Sequence, residues 1–144
     1  MEDNEQIPDS LLQKYHVALV KALGEDVRKV FVQLGRELGS EVGGGGKISL
    51  KELEIKLQDY LHNDLKLGKK VNVKIENNIL NVEVDECRVC SANEIIRSQG
   101  GKEACLLPGI LMGSVKQVES VKNVSMAGVE HFGVGHCKMH LKLD

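Results

Sequence analysis

At 144 residues with a formal charge of −2, the chain has the size of one ordinary domain and can bury a core without disulfides. Basic and acidic residues are interleaved, Trp is absent, and there are only two Phe and two Tyr. That leaves neither the field nor the stacking surfaces that collect nucleic acid, so no direct nucleic-acid partner is expected. No apolar run approaches the roughly 20 residues of a bilayer span, and the acidic start lacks the basic-then-apolar order of a secretion signal, so no membrane association and a cytoplasmic location are expected.

Positions 1–9 form a polar leader, 10–68 read as a helical half and 69–144 as a cysteine-containing sheet half of one domain. Ser10 with Gln13 has the form of a capping box, and Leu12, Tyr15, Leu19, Leu23, Val27, Val30, Leu34 and Leu38 recur at steps of three and four. This predicts a helix or a helix pair split at Gly24. Gly39 and the run Gly43 to Gly46 end it. The glycine run lacks the Lys-Ser/Thr of a phosphate loop and is read as a connector. Ser49 with Glu52 repeats the capping pattern ahead of Leu50, Leu53, Leu57, Tyr60, Leu61 and Leu65, a second amphipathic segment that reaches Gly68.

The period then changes to two. Val71, Val73 and Ile75 alternate with polar residues, Asn77-Asn78 turns the chain, and Leu80, Val82 and Val84 alternate again, predicting a hairpin with one covered face and one wet face. A short helix from Ser91, a helix over 106–118 with Pro108 in its first turn, a strand over 121–132 and a final strand from Cys137 complete the reading. Helices first, then a mostly antiparallel sheet with one buried helix inserted between strands, is an α+β fold.

All four cysteines lie in the second half: Cys87 and Cys90 as C-R-V-C, then Cys105 and Cys137. In a reducing compartment they point to thiolate chemistry or a metal rather than to structural disulfides. The C-x-x-C spacing can aim two sulfurs at one ion. Redox dithiols normally open a helix in a βαβ unit, whereas this pair follows a hairpin, so zinc is ranked above redox. Cys105 and Cys137 are the candidates to complete a four-thiolate site, with His136 as the substitute ligand; the alternative is that either cysteine is a small buried hydrophobe. No arrangement nominates a catalytic nucleophile. Gly109 and Gly113 stand one turn apart on one helix face, where another backbone or a flat ligand can approach.

The strand ending E-C-R-V-C, the helix C-L-L-P-G-I-L-M-G and the closing G-V-G-H-C-K-M-H-L from Gly133 resemble the 4-vinyl reductase (hydrocarbon-binding) domain family. That family is similar in fold to nitric-oxide-sensing haem domains and to tethering subunits of Golgi transport. The resemblance implies Cys87, Cys90, Cys105 and Cys137 as metal or thiol positions, Gly109, Gly113 and Gly133 as structural glycines, and a homodimer that binds a small molecule. One departure is Val129, where the family often has a further cysteine.

The expectation is therefore a sensor or carrier for a small apolar ligand, with Ile110, Leu111, Val115 and Met126 as the cavity wall and a zinc nearby. The alternatives are a component of tetrapyrrole or aromatic metabolism and a helical interaction subunit of a larger assembly.

Overall fold

Asn77 and Asn78 both hold positive φ, at 53° and 61°, the conformation that a two-residue hairpin turn demands and that asparagine tolerates. They join β1 (Lys70–Glu76) to β2 (Ile79–Asp85) in the register expected of the alternation, with Val71 opposite Val84 and Val73 opposite Val82. In this computed structural model, which describes residues 9–44, 46–100, 104–131 and 135–144, two further strands, β3 (Val124–His131) and β4 (Cys137–Leu143), extend the hairpin into an antiparallel sheet of order β1-β2-β4-β3. Cys137, Met139, Leu141 and Leu143 share the buried face with the apolar residues of β1 and β2. Lys74, Asn81, Glu83, Lys138 and His140 occupy the other face, so one face is covered and one is wet, as the alternation predicts.

The helical half is α1 (Asp9–Leu23), a 3₁₀ turn at Gly24–Asp26, α2 (Val27–Gly39) and α3 (Leu50–Asp59). Gly24, with φ 59° and no heavy atom within 4 Å of an added Cβ, is the break between α1 and α2. The first helix already includes Ser10, so Ser10 is not the residue that flanks it. Ser49 and Glu52 do form the full capping box at α3, each side chain bonding the other's backbone N–H. Leu53, Leu57 and Leu61 are sealed beneath it. Each contributes roughly 2 kcal/mol of burial.

A polar row on α3 faces the outer edge of β1. The Gln58 amide donates to Val71 O at 2.6 Å and accepts from Val73 N at 2.8 Å, and Glu54 accepts from Ile75 N at 2.7 Å. Side chains thus satisfy backbone groups that would otherwise lie bare along a sheet edge.

The inserted helix is α5 (Leu107–Val115), shorter at its C-terminal end than the expected 106–118 and with Pro108 in its first turn. It is buried between the sheet and α2. Its contact with α2 is made by glycines from both helices. A Cβ on Gly109 would press on Val32 O and reach Gly35 Cα at 3.0 Å, and one on Gly113 would meet Arg36 O at 2.5 Å. Reciprocally, Cβ atoms on Gly35 and Gly39 would collide with the backbone of Leu106 and Ile110. The close backbone approach expected at Gly109 and Gly113 is present, and the approaching partner is α2. Gly133 lies outside the described residues. Among them, no helix is long and apolar enough to cross a membrane.

Candidate functional site

The glycine contact sets helix register, and the register leaves a gap. Val32 meets Gly109 and Arg36 meets Gly113, so the two helices run parallel; one turn earlier α2 presents Arg28, where α5 has not yet begun. There the space between α2, α4 (Arg88–Ser98), the start of α5 and the β3/β4 end of the sheet opens into a cavity of about 450 Å³. That is within the usual range for a small-molecule site. Val32, Pro108, Val129 and Met139 give it apolar walls, and Cys105 and Cys137 add two thiols.

The polar side is built around Asn93, 5% exposed on α4. Its Oδ1 accepts from the Ala104 N–H at 3.0 Å and lies 3.2 Å from His16 Nε2 on α1. Because a backbone N–H can only donate, the first bond fixes which end of the amide is oxygen, and His16 must donate from Nε2. Burial holds the His16 imidazole below its ordinary pKa, against hydrogen bonds to Asn93 and the Ala104 backbone that act upward, which suits a neutral ring packed edge-on to Phe31 at 5.1 Å. Arg28 and Arg97 are the charged residues among the described lining.

The four residues expected to wall a cavity lie elsewhere than at this one. Ile110, Leu111 and Val115 are sealed in the core, because α2 on one side and the sheet on the other consume the apolar surface of α5. Met126, paired with Leu141 on the edge strand next to a bulge, is 41% exposed. None of the four lines the cavity, which is walled instead by residues at the start of α5 and by α2, α4, β3 and β4.

The cysteines approach from three directions. Cys87 is the flanking residue of α4 and is 2% exposed, with its N–H donating to Gly135 O at 2.7 Å. The C-x-x-C pair therefore does open a helix, starting three residues before the Ser91 expected from sequence, an arrangement shared with redox dithiols. Cys137 begins β4, also 2% exposed, and Cys105 precedes α5, half-buried. The Cys90 side chain lies outside the described residues. Among those described, no group of three His, Cys, Asp or Glu side chains is placed to hold a metal ion. His136, the expected substitute ligand, pairs instead with Glu83 at 2.7 Å and lies 3.9 Å from Asp85. It precedes Cys137 by one position and turns toward the wet face, because neighbouring side chains on a strand point to opposite sides. His140 likewise bonds Asn81 and Glu130 on that face.

No family model and no curated protein matches this chain. The likeness to the 4-vinyl reductase domains accordingly rests on the quoted motifs alone. Sequence reasoning missed Asn93, Arg28, Val32 and Arg97. The available signal was Gly35 and Gly39, spaced as Gly109 and Gly113 are, which pairs α2 with α5 and so brings Arg28 and Val32 to Cys105 and Pro108.

Proposed function

We propose that this chain is a small-molecule-binding domain, a sensor or carrier, whose apolar occupant lies in the cavity at the start of α5. The observation that carries the reading is the cavity itself: about 450 Å³ of space with apolar walls at Val32, Pro108, Val129 and Met139. The resemblance to hydrocarbon-binding domains supports the same class of ligand. In this reading Cys105 and Cys137 serve as wall residues.

The test is saturable binding of N-phenyl-1-naphthylamine, a neutral apolar fluorophore, compared with its binding to Val129→Phe. Val129 is 43% exposed on the edge strand, where an aromatic ring suits the strand and fills the mouth of the cavity without touching the core. The wild-type chain binds one probe and the variant loses it with an unchanged melting temperature. Absence of saturable binding in the wild type, or equal binding in the variant, refutes the assignment.

A further inference from the structure

The cavity is apolar on most of its wall but not throughout, and among the described residues its polar groups share a sign. Both hydrogen bonds of Asn93 run to Oδ1, and among the described residues its Nδ2 has no hydrogen-bond partner. An amide nitrogen on a side chain that is only 5% exposed, lining a cavity, is a donor awaiting an acceptor. The Ala104 bond prevents the amide from rotating to present oxygen instead. Among the described lining residues the charged ones, Arg28 and Arg97, are both cationic, and none carries a carboxylate. Arg97 also pairs with Glu94 at 3.3 Å, a surface contact between two half-exposed side chains that solvent weakens.

We propose that the occupant is an amphiphilic anion, with its apolar body against Val32, Pro108, Val129 and Met139 and its carboxylate-like head between Asn93 Nδ2 and the guanidinium groups of Arg28 and Arg97. This rests on the binding function proposed above and names the chemical class of the ligand. A planar two-oxygen head suits the site, because one oxygen can accept from the amide while a guanidinium fork takes the other. Neutral hydrocarbons of the same length leave the amide donor unmatched and gain nothing from the two cations.

Calorimetric titration of the full chain with octanoate and with octan-1-ol separates head from body, since the two share one alkyl chain. Octanoate is expected to bind at least 10-fold more tightly. Asn93→Asp keeps the acceptor for the Ala104 N–H and replaces the donor by a carboxylate; Arg28→Gln removes the charge of an exposed side chain at the rim. Both are expected to remove most of the octanoate preference while leaving octan-1-ol affinity unchanged. Equal affinities for the two probes in the wild type overturn the anion inference and leave the cavity assignment standing. Binding of neither probe overturns both. A preference that survives both substitutions also overturns the placement of the head.

Discussion

Replacing Gly109 by Ala sets two known effects against each other. Within a helix Ala is favoured over Gly, by up to about 1 kcal/mol in the interior, so helix propensity alone makes the variant more stable. Against this, the new Cβ lies 3.0 Å from Gly35 Cα and from the Val32 carbonyl carbon, and closer still to Val32 O. Carbon contacts are comfortable at about 3.5–4.0 Å, so the helices must part by roughly 0.5–1 Å at this point. The obstructing atoms are backbone, and no rotamer change relieves them. Overpacking of this kind costs about 1–3 kcal/mol and sometimes more, and here the upper part of the range applies. The expected net loss is about 2 kcal/mol, read from urea unfolding followed by helical circular dichroism. Gly35→Ala should behave alike, and the double variant should lose less than the sum, because both methyl groups pry open the same contact. Gly46→Ala is the control: nothing lies within 4 Å of its added Cβ, and the change should stay within about 0.5 kcal/mol. A Gly109→Ala protein as stable as the wild type refutes the backbone contact between α2 and α5.

Truncating Gln58 to Ala strips the partners from Val71 O and Val73 N at the edge of β1. A loss of about 1 kcal/mol and increased self-association in sedimentation are expected; an unchanged urea midpoint argues against the edge-covering role. His16 is held below its ordinary value of 6.5, so the unfolded chain protonates first as the pH drops. Its contribution is therefore complete above 6.5 and is lost as pH falls through the folded-state value, and the slope of stability against pH from 7.5 to 5 should flatten in His16→Gln. Among Cys87, Cys105 and Cys137, iodoacetamide should label the half-buried Cys105 first, and saturating octanoate should slow that labelling. Peptide mass mapping that finds Cys87 or Cys137 labelled earlier, or no protection, contradicts the assigned wall.

What the sequence disclosed was local. The Asn77-Asn78 hairpin and the Ser49-Glu52 cap depend on residues within a few positions of one another, and both form as their patterns predict. The α+β class follows from the change of period at Val71. The start of α4 was hidden because Cys87 gives no side-chain capping bond to mark it. The cavity was illegible for a different reason. Its location follows from which glycines of α2 oppose which glycines of α5, a relation across some 70 positions that no single stretch encodes. The apolar richness of α5 suggested a ligand wall at Ile110, Leu111 and Val115, yet a helix with packed neighbours on two sides needs that richness for itself.

The two edges of the sheet are not equivalent. Along β1, Glu54 and Gln58 offer oxygens and an amide N–H to the backbone as a neighbouring strand would, so that side is already spoken for. Beyond β3, among the described residues, no strand follows. Growth of the sheet by pairing with another chain is thereby directed to one side, and that side carries Val129 at the rim of the cavity. Polarity of this sort gives the domain a front and a back: a strand added beyond β3 would lie beside Val129, at the rim of the cavity proposed above to hold a ligand.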